Sequence, residues 1–199
     1  MIRVIPYEER YREKVRLLCL ENAGCTDADE TARAICLMIN CDCYLDETPE
    51  ACFVAVEDDD SLIGYILCCP DYDRYEDAFT QTYLPKAAAV SARCYVDTRF
   101  LTFRFRMFRE ICRAHFFICV RKDSRGIGAG ELLLKTLLNY LKYQRVPGIM
   151  LVCDPENERA LAFFEKHGFV KQMTTRFGVA MLLRIRLPET GYEQQTSEN

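Results

Sequence analysis

Between a short apolar run, F-F-I-C-V at residues 116–120, and a leucine-rich run at residues 131–143, the chain reads R-K-D-S-R-G-I-G-A-G. The first run is apolar and partly β-branched, which predicts a buried strand. The second carries Leu132, Leu133, Leu137, Leu138 and Leu141, the spacing of a helix face. The three glycines that alternate with small residues between them let the backbone turn tightly and leave its N–H groups uncovered. Those groups then point outward from a helix N-terminus, where partial positive charge collects. Such a strand, bare turn and helix make an anion seat suited to phosphate.

The rest of the chain predicts a mixed α/β fold. Residues 1–6 alternate as an edge strand closed by proline, and residues 7–22 place Val15, Leu17, Leu18 and Leu20 on a helical period. Thr26 or Asp27 is expected to cap a second helix ending near Asn40, with Ala32, Ile35, Cys36 and Ile39 inward. Residues 51–57 and 62–69 read as strands joined by the polar turn D-D-D-S. Residues 70–114 read as helix with breaks. Beyond the glycine turn and its helix come a strand at 149–153, a helix at 158–167 ended by Gly168, and two strands at 169–173 and 179–187. A right-handed helical crossover between the strands at 116–120 and 149–153 makes them parallel neighbours. Their carboxyl ends then open on one cleft, so residues 120–130 and 154–157 should face each other across it.

At 199 residues, the expectation is one domain over 1–187, with a helical insertion at 70–114 and a polar tail at 188–199. The longest apolar runs fall short of the roughly 18 residues of a membrane span. The N-terminal sequence M-I-R-V-I-P-Y-E-E-R lacks the pattern of an export signal, which predicts a cytoplasmic protein whose 12 cysteines are reduced thiols. Their spacing offers no paired C-x-x-C, so no metal site is expected. A net charge of −4 argues against nucleic acid as a partner. The stretch F-R-F-R-M-F-R at 103–109 is read as an amphipathic helix whose arginines lie along apolar surface, in preference to a base-stacking platform.

R-G-I-G-A-G at 125–130 matches the pattern Q/R-x-x-G-x-G/A, and N-E-R-A-L-A-F-F-E-K-H-G-F at 157–169 is similar to N-x-x-A-x-x-F/L-Y-x-x-x-G-F, with Phe164 in the Tyr position. In both, the chain resembles the GNAT family of acetyl-CoA-dependent N-acetyltransferases, and within it the branch related to the acetyltransferase-like domain of O-GlcNAcase. The resemblance implies the acyl-CoA fold, a central mixed sheet flanked by helices, with acetyl-CoA as co-substrate. It implies that Arg125, Gly126, Ile127, Gly128, Ala129 and Gly130 hold the coenzyme diphosphate. Ile118, Cys119 and Val120 would line the pantetheine through their backbone, and Asn157 and Phe164 would complete that wall. Asn157 is equally a favoured helix cap.

The reaction this implies, acetyl transfer to a primary amine, needs a neutral amine, a polarised thioester carbonyl and a proton for the departing thiolate. The carbonyl could be polarised by the amide of Val120 or Cys119. Where the family pattern has Tyr the chain has Phe164, which has no proton to give, and the acid that many relatives carry on the central strand is absent, with Cys119 near that place. The catalytic residues are therefore unassigned, with Asp154 and Asp71 as weak candidates for collecting a cationic amine. Cys119, His115 and His167 read as a packed strand residue, a strand-edge residue and a helix C-terminal cation. The competing function is a noncatalytic or weakly active acyl-CoA-binding module. A nucleotide oxidoreductase is disfavoured, because Glu131 stands where G-x-G-x-x-G needs its last glycine. The acceptor is not readable, and the oligomeric state is open, with a homodimer as one option.

Overall fold

The computed structural model describes residues 1–187; the expected tail at 188–199 lies outside the described residues. In chain order, β1 (Arg3–Pro6) leads into α1 (Arg12–Asn22) and α2 (Glu30–Leu37), which a π turn at Met38–Asp42 joins to α3 (Cys43–Glu47). The hairpin of β2 (Phe53–Val56) and β3 (Leu62–Cys69) follows. Then come α4 (Tyr72–Ala78), a second π turn (Phe79–Tyr83), α5 (Leu84–Val90) and α6 (Ala92–Arg106). The remainder is β4 (His115–Val120), α7 (Ala129–Tyr143), β5 (Gly148–Cys153), α8 (Glu158–Lys166), β6 (Val170–Thr175) and β7 (Gly178–Arg184).

The strands form one mixed sheet in the order β1-β2-β3-β4-β5-β7-β6. Every neighbouring pair is antiparallel except β4 and β5, the parallel pair made by the crossover through α7. Helices cover both faces. One core gathers Val15, Leu18, Tyr44, Tyr75 and Phe105 from the helices before β4. The other gathers Leu133, Leu134, Leu137 and Leu141 of α7 with Phe164 of α8. Burying each of those leucines is worth about 1.5–3 kcal/mol. Covered on both sides, β2 and β3 are buried at every residue, so the alternation expected of a half-solvated hairpin is absent.

Several sequence expectations shift. The inward face of α7 is Leu133, Leu134, Leu137 and Leu141; Leu132 points out, as does Leu17 of α1. Asp29, and neither Thr26 nor Asp27, caps α2: its Oδ1 accepts the Ala32 N–H at 2.8 Å. The helix also runs past Asn40, because the π turn absorbs an extra residue without breaking it. His115 is no edge residue. It sits in the central strand, 1% exposed, with its ring 4.1 Å from Phe105 and 4.7 Å from Tyr75.

Two arginines of the basic stretch at 103–109 meet acids of α4. Arg109 Nε lies 2.8 Å from Asp73, and Arg106 and Arg109 approach Glu76 at 3.8 and 3.9 Å. Arg113 joins Asp71 at 2.7 Å. Exposed pairs of this kind contribute roughly 0–1 kcal/mol each.

Close packing fixes Gly64. A β-carbon there would sit 2.8 Å from the Cys119 carbonyl oxygen and 3.3 Å from Leu133 Cδ1. Gly64→Ala should therefore lower unfolding stability by about 1–3 kcal/mol in urea titration. Burial pushes His115 from 6.5 down to about 3. Below pH 6.5 the unfolded chain binds a proton that the folded chain refuses, so this residue's contribution to stability is present above 6.5 and is lost as pH falls toward 3. His115→Phe should flatten that limb of the stability profile, read as the difference between variant and parent.

Candidate functional site

The backbone of β4 sets the site. Arg121 donates its N–H to the Ile63 carbonyl at 2.8 Å, and Gly64 stands opposite Val120 and Tyr65 opposite Cys119. Antiparallel ladders alternate, so the N–H groups of Phe117, Cys119 and Arg121 point to β3, and those of Phe116, Ile118 and Val120 point to the other side. On that other side β5 is paired at one position alone, His115 with Met150, where the Met150 N–H meets the Ala114 carbonyl at 2.9 Å. Beyond that pair the two strands part. The amides of Ile118 and Val120 are thereby left facing a gap. Cys119 is turned away: its amide and carbonyl belong to the β3 side, so of the two carbonyl-polarising amides expected from sequence only that of Val120 fits.

At the head of the gap lies the glycine turn. Gly126 and Gly128 have φ of +87° and +89°, the left-handed region that other residues enter only with strain. Gly130 differs. It lies inside α7 without a left-handed φ, and a β-carbon there would meet Phe163 and Val120 at an ordinary 3.7 Å, so the position has room for a small side chain. Gly128 is the N-cap of α7 and supplies no side-chain bond to the first turn. In α2, α4, α6 and α8 the same place is filled by Asp29, Asp71, Ser91 and Asn157, each accepting a backbone N–H. α7 thus presents its first amides to an outside anion.

Two adjoining cavities meet at the gap. The larger, about 670 Å³, is lined by Ile118, Cys119, Val120, Arg125, Gly126, Gly128, Ala129, Gly130, Asn157 and Phe164, with Arg159, Phe163, Lys166 and His167 alongside. The smaller, about 500 Å³, is lined by Asn40, Tyr65, Arg104, Thr175, Arg176 and Phe177. They share Asn22, Ala23, Phe117, Ile118, Val152 and Asp154.

A sequence model of the acetyltransferase (GNAT) family matches residues 16–169. The chain belongs to the GNAT acetyltransferase family. Among curated proteins, mycothiol acetyltransferase of Streptomyces coelicolor is 36% identical over 59 residues, 30% of this chain and 19% of that protein, so the match spans about a fifth of the relative's length. The solved structure of SsHAT superimposes with a TM-score of 0.78 at 23% identity, covering 93% of this chain and 98% of that one. PH1933 from Pyrococcus horikoshii gives 0.65 at 19% identity over 94% and 100% of the two chains. The NatC complex bound to Gag peptide and CoA gives 0.54 at 18% identity over 95% and 99%. These likenesses establish the GNAT fold.

Within this GNAT protein the residues expected from sequence fall together around the larger cavity, with two exceptions. Ile127 is 52% exposed and does not line the cavity. Asp71 does not reach the cleft: it caps α4 beside Cys69, which pairs with His115 at the opposite end of β4 from Val120, and its carboxylate is taken by Arg113. Asp154 does border both cavities; its Oδ1 accepts the Glu156 N–H at 2.9 Å. Asn157 caps α8 through Ala160 N–H at 3.1 Å while lining the cleft, so both readings of it coexist. Phe164 is buried against Phe116, Phe163 and Phe169. Burial pushes the Cys119 thiol up to about 12, which removes it as a nucleophile. His167 faces the cleft and bonds the Phe163 carbonyl at 2.7 Å.

Sequence reasoning missed Tyr65, Asn40, Arg104 and Arg176, which long-range folding brings to the smaller cavity. The F-R-F-R spacing flagged Arg104 but assigned it to apolar packing. Among the described residues no cluster of three or more His, Cys, Asp or Glu is placed to hold a metal, and no helix is long and apolar enough to cross a membrane. All 12 cysteines are free, and all but Cys25 are buried.

Differences between the glycines are testable by urea unfolding. Gly128→Ala should cost about 1–2 kcal/mol through backbone strain, whereas Gly130→Ala should cost well under that.

Proposed function

We propose that the protein transfers acetyl from acetyl-CoA to a primary amine, using the larger cavity for the coenzyme and the smaller for the acceptor. The observation that carries this reading is the unpaired edge of β4, which opens between the two cavities with the Ile118 and Val120 amides exposed to it. The diphosphate of the coenzyme sits on the uncapped amides of residues 126–130, with Arg125, Arg159 and Lys166 adding positive charge. Its pantetheine arm extends β4 in the manner of a missing strand, taking hydrogen bonds that β5 does not make. Asn157 and the aromatic wall of Phe163 and Phe164 close the far side.

The thioester then lies in the gap. The Val120 N–H polarises its carbonyl, the amine nitrogen attacks the carbonyl carbon, the C–S bond breaks, and the acetamide forms. The amine loses one proton, toward Asp154 or solvent, and the thiolate gains one from water. Phe164 supplies none, so turnover is expected to rely on positioning and on the low basicity of a thiolate leaving group. That same residue keeps a second reading alive, an acyl-CoA-binding module without efficient transfer.

We further propose that residues 1–187 act as one unit in which 70–114 is an insertion shaping the acceptor side. The free thiols favour a reducing, cytoplasmic setting. We also propose that the chain falls in the branch related to the acetyltransferase-like domain of O-GlcNAcase, which its sequence resembles.

Calorimetry with acetyl-CoA should show binding that Gly128→Glu weakens at least about tenfold, or 1.4 kcal/mol, because a carboxylate then competes for the same amides. No binding by the parent chain removes the coenzyme assignment. Release of CoA thiol across a panel of amines separates the two readings: turnover that depends on the amine excludes the binding module, and binding without turnover excludes the enzyme.

A further inference from the structure

The smaller cavity carries an arginine whose surroundings lack an acid. Arg104 Nη2 donates to Asn40 Oδ1 at 2.9 Å and to the Ile39 carbonyl at 3.3 Å, both in the π turn between α2 and α3. The guanidinium lies over Phe117 at 4.4 Å and beside Phe105 at 5.1 Å. Its Nε is buried without a hydrogen-bond partner. Among the described residues no carboxylate approaches Arg104 within 4.0 Å, although Arg106, Arg109 and Arg113 nearby all find acids on α4. A guanidinium held by neutral acceptors and an aromatic face, lining a cavity with no carboxylate in reach of it, is a cation suited to a carboxylate ligand.

A second cation lines the same cavity. Arg176, in the β6–β7 turn, stacks between Phe100 at 4.3 Å and Phe177 at 5.3 Å, also without a carboxylate partner among the described residues. The acid lining this cavity is Asp154, and it stands where the cavity meets the gap. Positive charge therefore fills the recess and negative charge its junction with the β4 edge. Two such cations repel a diamine and attract an acceptor of mixed charge.

We infer that the acceptor is a small zwitterion of the amino-acid type, its carboxylate gripped by Arg104 and its ammonium drawn to Asp154 beside the thioester. The inference rests on the acetyl-transfer reading for what happens to the amine; the grip on the carboxylate is separable from it.

The test compares acids with their decarboxylated partners: lysine with cadaverine, tyrosine with tyramine, histidine with histamine. Binding of all six is measured by calorimetry on the full chain, with and without CoA. The expected result is that at least one amino acid binds at least about tenfold tighter than its partner, a difference of 1.4 kcal/mol. Arg104→Gln should collapse that difference and Arg104→Lys should recover only part of it, because the charge returns without the fork. Melting temperature controls for folding; should Arg104→Gln fail to fold, Arg104→Lys carries the test, and a preference undiminished in it overturns the inference. Amines binding as tightly as their acids, a preference that survives Arg104→Gln, or no binding by any of the six would overturn the inference. Failure of CoA alone to bind strikes the acetyl-transfer reading instead.

Discussion

β4 has one complete neighbour and one that leaves it. Ladder geometry on the β3 side commits every second amide, and the single pair between His115 and Met150 ends the other side early. Polar backbone groups in a largely covered sheet need partners. The parting of β4 and β5 therefore leaves a specific demand at Ile118 and Val120 that only water or a bound molecule satisfies. The rest of the architecture keeps this arrangement in place: α7 braces the sheet through Leu133, Leu137 and Leu141, and Gly64 lets β3 and β4 approach beneath it.

The glycine turn and the β4 edge belong to one crossover, which is why so much of the larger cavity was legible in the sequence. Residues 116–130 are contiguous, and residues 154–168 follow the neighbouring parallel strand, so two short patterns cover most of that wall. Local rules also fixed the cap at Asn157 and the ending at Gly168. They misplaced the cap of α2, where three candidate residues fall within four positions and the cap is Asp29.

The acceptor side was illegible for a corresponding reason. Tyr65, Asn40, Arg104 and Arg176 come from four separated parts of the chain, and only the closed fold puts them around one space. Helical periodicity describes Arg104 correctly as a residue that lies along apolar rings. What periodicity lacks is the information that its neighbours carry acids and it carries none. Asp71 illustrates the converse. Its place after β3 suggested a cleft mouth, but β3 runs antiparallel to β4, so the end of β3 lies at the start of β4 and far from the gap.

The bare entry to α7 has a thermodynamic side. Helices α2, α4, α6 and α8 each gain about 1 kcal/mol from a capping side chain, and α7, the brace of the sheet, forgoes it. An anion that docks on those amides serves as a removable cap. Melting temperature should then rise with phosphate or sulfate even in the absence of coenzyme, so that the composition of the buffer sets the apparent robustness of the whole molecule.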